Sequence, residues 1–158
     1  MSEITSLEPR LVWEQFDAIT RVPRPSKKEG KIIDFLVDFL QSHMDMVCEK
    51  NSDVEFDFDN DPIRTRIDGE WVRAEGTTLG ADCGIGMAAA LAVLLDETVE
   101  HGPVEALFTV DEETGLTGAF ELGEGMLTGK YLVNLDSEDE GELFIGCAGG
   151  IDTIATFH

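Results

Sequence analysis

The chain has 158 residues, and its 33 acidic and 11 basic side chains give a formal net charge of −22. Such a negative surface disfavours nucleic acid and anionic membranes as partners but is compatible with cation binding. Three cysteines without a Cys-x-x-Cys pair, no signal peptide and no transmembrane run predict a soluble protein of the reducing cytoplasm.

The first part of the chain predicts two helices. Apolar residues recur at helical spacing after Pro9, which is typical of a helix beginning there. Ser26 with Glu29 three residues later forms a capping box for a second helix, whose apolar face continues to Leu40. This helix runs directly into His43 without a turn residue or a strand, which is unusual for an α/β protein.

The remaining sequence alternates between strand and helix patterns. A hairpin is predicted over 63–74 around Asp68-Gly69, and a Gly/Thr-rich loop opens a helix that runs to Leu95. A short helix is predicted at 117–122. Four strand candidates lie at 104–110, 131–136, 142–148 and 151–157. The predicted fold class is α/β, a three-layer α/β/α domain with a mixed, partly parallel sheet.

Acidic residues follow two of these strands. Asp111, Glu112 and Glu113 come after the strand at 104–110, and Asp136 ends the strand at 131–136. Ligands bind at the carboxyl ends of strands in open α/β sheets, and buried charges there need partners. Taken alone, the three consecutive acids still favour a solvated turn over a metal or proton-transfer site.

Two further candidates precede these acids in the chain. His43 and Asp45 would share one face of an extended segment, so the carboxylate could orient the ring, although most such pairs are incidental. Asp82 lies in the Gly-rich loop at a helix N-terminus, where a capping role and a ligand role are equally plausible.

Together, one histidine and several carboxylates could meet at one rim of the sheet. Mixed nitrogen and oxygen ligation suits zinc, with manganese or cobalt as substitutes. In that arrangement Asp82 bridges two ions, while Glu113 and Asp136 each hold one. Glu112 would then be free to take a proton from the reacting water.

Four long segments between residues 43 and 152 carry a family resemblance: HMDMV, DGEWVRAEGTTLGADCGIGMAAALAVL, HGPVEALFTVDEETGLTGAF and LVNLDSEDEGELFIGCAGGID. They resemble the aminoacyl-histidine dipeptidases, cytosolic di-zinc exopeptidases of the aminoacylase/carboxypeptidase clan. The resemblance implies that His43 ligates one zinc ion and that Asp82 bridges two. It also implies that Glu113 ligates one ion and Asp136 the other.

The same resemblance implies a catalytic pair and a reaction. Glu112 would be the general base and acid that activates the water, and Asp45 would orient His43. The implied reaction is zinc-dependent hydrolysis of dipeptides, typically Xaa-His, with a dipeptide as substrate and no nucleic acid or membrane as partner.

The sequence departs from the family pattern in three places. Cys83 stands where the family has asparagine after the bridging aspartate. Ser42 runs directly into His43 where the family has a strand-containing segment, which indicates an internal deletion. The chain stops at His158, before the lid domain and the C-terminal half of the catalytic domain. Residues 1–158 are therefore expected to form the N-terminal part of an incomplete zinc-exopeptidase catalytic domain, weakly active or inactive alone.

Other functions remain open from the sequence. The chain could belong to another aminoacylase or tripeptidase of the same clan. It could also be a catalytically inactive fragment, or an acidic domain that binds cations or a protein. Missing sheet neighbours would expose an edge and an apolar face, so self-association into a homo-oligomer is a further expectation.

Overall fold

The computed structural model describes residues 2–32 and 42–136, with residues 139, 141–142, 144–146 and 156. Within these ranges a short 3-10 helix, Glu3–Ser6, is followed by α1 (Arg10–Thr20), α2 (Ala81–Leu95) and α3 (Thr117–Phe120). Two strands form the regular sheet of this part of the chain: β1 (Thr65–Asp68) and β2 (Trp71–Ala74). None of the helices in the described ranges is both long and apolar enough to cross a membrane.

The core forms where α1 packs against α2. Phe16 and Ile19 of α1 are buried in one cluster with Met87 and Leu91 of α2. Full burial of such a side chain contributes about 1.5–3 kcal/mol. The two helices approach closely because Gly84 has no side chain, since a Cβ there would lie 2.9 Å from the Phe16 ring. The predicted helices ending near Thr20 and at Leu95 are therefore confirmed.

The predicted hairpin is also confirmed. β1 and β2 pair antiparallel, with Thr65 opposite Ala74 and Ile67 opposite Val72. Gly69 follows β1 with φ +64°, a left-handed conformation that glycine adopts without strain. The alternating burial of the strands places one face against the 3-10 helix and leaves the other exposed.

The strand predictions at 104–110 and 131–136 are wrong, because neither range forms a strand in the structure. Parallel pairing in the described ranges is a single bridge between Pro25 and Met46. The Met44 amide donates to the Thr109 carbonyl at 2.9 Å, which joins the segment at 104–110 to the segment that carries His43. One such bond does not build a ladder, which needs repeated pairing along both segments. The strand predicted at 142–148 lies partly outside the described residues, and the strand predicted at 151–157 lies largely outside them.

The predicted capping box is wrong as well. Ser26 Oγ donates to Asp45 Oδ2 at 2.7 Å, and Glu29 Oε1 accepts from the amides of Lys27 and Asp111, each at 3.0 Å. A buried carboxylate without hydrogen-bond donors costs more free energy than an exposed helix end without a cap. Both side chains therefore bond to residues distant in the chain instead of capping the helix. Of the helix that they were expected to start, residues 30–32 are helical, and the rest of its predicted range to Leu40 lies outside the described residues.

Candidate metal centre

The segment at 43–47 lies between two other parts of the chain. Met44 donates to Thr109 on one side, and Met46 bridges to Pro25 on the other. The His43 side chain is only 5% exposed. The backbone contacts of Met44 and Met46, just after His43 in the chain, therefore hold the segment that carries it.

The acidic residues predicted for the site surround this imidazole. His43 Nε2 lies 3.9 Å from Glu112 Oε2 and 3.8 Å from Asp136 Oδ2. Ligand atoms of His43, Glu112 and Glu113 lie within 4.8 Å of one another, and the same holds for His43, Asp82 and Cys83. Ligand atoms at about 2.0–2.2 Å from a tetrahedral zinc ion lie roughly 3.4 Å apart. Small side-chain adjustments would therefore bring these atoms to coordinating distance.

Asp45 organises the other side of the site and is completely buried. It accepts the Glu112 amide at 3.1 Å, the Glu113 amide at 3.3 Å and the Ser26 hydroxyl at 2.7 Å. Burial alone would raise the pKa of Asp45, but His43 and these donors outweigh it and lower the pKa overall. An ionised Asp45 thus holds the backbone that carries both glutamates.

His43 has an unsatisfied nitrogen facing this carboxylate. Its Nδ1 lies 3.5 Å from Asp45 Oδ1, close enough for charge attraction, yet it has no hydrogen-bond partner among the residues described. Burial opposes the charged ring, but Asp45, Cys83 and Glu112 outweigh it and raise the pKa of His43 to about 11. The centre therefore holds a proton where several carboxylates favour a cation.

Burial is the main reason that the pKa of each glutamate is raised. Asp136, Asp45 and Asp82 add to this effect at Glu112, and Asp82 does so at Glu113, while His43 opposes it at both. Glu113 Oε1 also accepts the Val47 amide at 3.3 Å. Crowded carboxylates beside a buried imidazole form a donor set that suits a divalent ion.

Asp111 is separate from this group of ligands. It has φ +52°, and its carboxylate accepts the hydroxyls of Thr114 and Thr117, which lower its pKa. Its amide donates to Glu29. Asp111 therefore fixes the turn that presents Glu112 and Glu113.

Sequence reasoning missed Arg24 as a neighbour of the site. The residue is 2% exposed, and its guanidinium reaches the backbone on both sides of the centre. Its place between two prolines indicated only a helix end. A buried arginine cannot be recognised from local sequence when its partners are carbonyl groups distant in the chain.

Comparisons with known proteins identify similar sequences. The sequence model of peptidase family M20/M25/M40 matches residues 39–153. The chain is 44% identical over 191 residues to the cytosol non-specific dipeptidase of Escherichia coli K12, covering 100% of this chain and 39% of that protein. It is 38% identical over 104 residues to the uncharacterised protein YqjE of Bacillus subtilis 168, covering 63% of this chain and 25% of that protein.

A solved structure matches as well. The aminoacylhistidine dipeptidase of Vibrio alginolyticus superposes with a TM-score of 0.85 at 44% identity, covering 89% of this chain and 35% of that one. This match confirms the predicted fold class, an incomplete α/β peptidase catalytic domain, and the predicted resemblance to dipeptidases. The chain spans about two fifths of the length of these two dipeptidases. With these matches and this donor set, the chain belongs to peptidase family M20/M25/M40.

Proposed function

We propose that this chain carries metal-binding and proton-transfer residues of a zinc-dependent dipeptidase that hydrolyses dipeptides, typically Xaa-His. The observation that carries the proposal is the convergence of Glu112, Glu113, Asp136 and Asp82 on the buried imidazole of His43. The names of the E. coli and Vibrio relatives support the reaction class. The E. coli name also supports a cytoplasmic location.

Four residues would hold the metal. His43 and the carboxylates of Glu113 and Asp136 would each bind an ion, and Asp82 would be shared between two. The mixed nitrogen and oxygen donors suit zinc, with manganese or cobalt as substitutes. Bound zinc would supply Lewis-acid polarisation of the scissile carbonyl and make water more acidic.

Glu112 is proposed as the proton carrier. Its raised pKa brings the carboxyl nearer to the working pH, which favours both accepting and returning a proton. Glu112 takes the proton of the attacking water as the new C–O bond forms. The same carboxyl returns that proton to the leaving amine as the C–N bond breaks.

Asp45 is proposed to act through its neighbours. It faces His43 Nδ1, so the ring presents Nε2 to the carboxylates, and it holds the amides of Glu112 and Glu113. A carboxylate behind a metal-binding histidine fixes the ring orientation and increases its basicity.

We further propose that a segment before His43 is shortened in this chain. The alignment with the E. coli dipeptidase spans 191 residues, 33 more than the 158 of this chain, although it covers the whole chain. A deletion between Ser42 and His43 would remove a strand that supports the imidazole. This chain alone would therefore be weakly active or inactive.

A chimera separates the function of these residues from that shortening. The 158 residues replace the matching part of the E. coli dipeptidase, whose additional residues are kept between Ser42 and His43. We expect zinc-dependent Xaa-His hydrolysis, and a loss of about 100-fold or more in kcat for Glu112→Gln with zinc still bound. Exposed Glu121→Gln is the matched control. An unchanged kcat in Glu112→Gln would show that Glu112 is not the general base.

A further inference from the structure

The Arg24 side chain connects the two backbone segments that carry the candidate ligands. Nη1 donates to the carbonyl of Met44 at 3.1 Å, to that of Asp45 at 3.4 Å and to Cys83 Sγ at 3.0 Å. Nη2 donates to the Gly80 carbonyl at 2.7 Å. One guanidinium thus joins the segment of His43 to the start of α2, where Asp82 lies.

Arg24 makes these contacts without a carboxylate partner among the ion pairs of the described ranges. Burying an arginine without an ion pair is costly, and packing alone would be served by an apolar side chain. Its planar fork instead satisfies several acceptors at fixed angles. The contacts therefore suit a positioning role better than a packing role.

Two glycines leave space for this guanidinium. A Cβ at Gly80 would lie 2.6 Å from Arg24 Nη2, and a Cβ at Gly84 would lie 2.9 Å from the same atom. Gly80 also has φ +65° at the N-cap of α2. Gly80 and Gly84 therefore leave room for Arg24 where α2 begins.

Cys83 completes the link. Its Sγ accepts from Arg24 and donates to the Asp45 carbonyl at 3.1 Å. An asparagine amide could perform both roles, since it has one acceptor and two donors, whereas valine could perform neither. A substitution at Cys83 can therefore weaken the connection between Arg24 and the His43 segment while Arg24 is kept.

We propose that Arg24 is a positioning residue that sets the distance between the His43–Asp45 segment and Asp82. Through Asp45 it also fixes the amides of Glu112 and Glu113. The effect on metal binding rests on the proposed function, whereas the effect on backbone order does not.

Amide hydrogen exchange of the metal-free chain tests the backbone effect. In Arg24→Lys we expect at least tenfold faster exchange at Met44, Glu112 and Glu113, with less than a twofold change at Phe16 in α1. Arg66→Lys, at an exposed arginine, should change none of these rates. Uniform acceleration or no acceleration in Arg24→Lys would overturn the proposal.

Substitutions at Cys83 cover the case in which Arg24→Lys does not fold. Cys83→Val should produce the same local acceleration, and Cys83→Asn should keep the rates at Met44, Glu112 and Glu113 within twofold of the parent. Equal behaviour of the two variants would overturn the link between Arg24 and the His43 segment.

Zinc titration by calorimetry then separates this proposal from the function. If the parent chain binds zinc, Arg24→Lys or Cys83→Val should raise the Kd at least tenfold, and an unchanged Kd would overturn the positioning role. If the parent chain binds no zinc, the proposed function fails for this chain, and hydrogen exchange alone decides the role of Arg24.

Discussion

Three consecutive acidic residues in this chain have two different environments. Asp111 accepts two threonine hydroxyls and closes a turn, while Glu112 and Glu113 face His43 with their amides held by Asp45. The sequence predicted that Glu112 and Glu113 would differ in role. It could not separate Asp111 from them, because that depends on the hydroxyls of Thr114 and Thr117.

The protonation of His43 gives a test at the scale of single residues. Because the folded chain raises the pKa of His43 from 6.5 to about 11, it holds this proton more tightly than the unfolded chain. The resulting stabilisation is complete below pH 6.5 and is lost as the pH rises toward 11. We therefore expect the free energy of unfolding in urea, with a chelator present, to fall across this range.

The matched variants identify the group responsible. His43→Gln should remove most of this pH dependence, whereas His101→Gln, at an exposed histidine, should retain it. The same slope in His43→Gln and the parent chain would show that another group causes it.

At the scale of secondary-structure elements, local sequence patterns correctly predicted the elements that depend on local contacts. The apolar spacing of α1, the Ala-rich run of α2 and the Asp68-Gly69 turn each specify structure within a few residues. The segments at 104–110 and 131–136 have strand-like sequences, but a strand forms only where a neighbour supplies backbone partners. The capping box failed for a similar reason, since Asp45 takes the Ser26 hydroxyl.

Only part of the candidate site could be predicted from the sequence. His43 and the carboxylates could be named because their chemistry and the family resemblance both indicate a metal. The contacts of Arg24 with Met44, Gly80 and Cys83 could not, because they join positions up to 59 residues apart. No sequence pattern specifies which carbonyls a buried guanidinium will reach.

Gly80 offers a test of how the loop before α2 is built. Gly80→Ala would place a left-handed residue against Arg24 Nη2, whereas Gly69→Ala has the same backbone strain with nothing within 4 Å. We expect a loss of about 1 kcal/mol for Gly69→Ala and about 2–4 kcal/mol for Gly80→Ala in urea unfolding. Equal losses would mean that the loop does not depend on Arg24.

At the scale of the whole molecule, several large apolar side chains are exposed. Large apolar side chains are exposed before Asp136, including Tyr131 at 92%, Leu132 at 78% and Val133 at 76%. Such a patch is typical of a surface that another element or chain covers. Self-association of this chain stays a prediction.

The acidic excess has a local counterpart in the candidate metal centre. A chain of net charge −22 gathers several carboxylates around one buried imidazole, where repulsion among them is relieved by a cation. We therefore expect these residues to bind zinc.

Diffraction from crystals of the chain grown with zinc, measured at the zinc absorption edge, would locate the bound ions. We expect anomalous density about 2.0–2.2 Å from a nitrogen of His43 and from carboxylate oxygens of Asp82, Glu113 and Asp136. Zinc bound elsewhere on the chain, with no anomalous density among these four residues, would contradict this expectation.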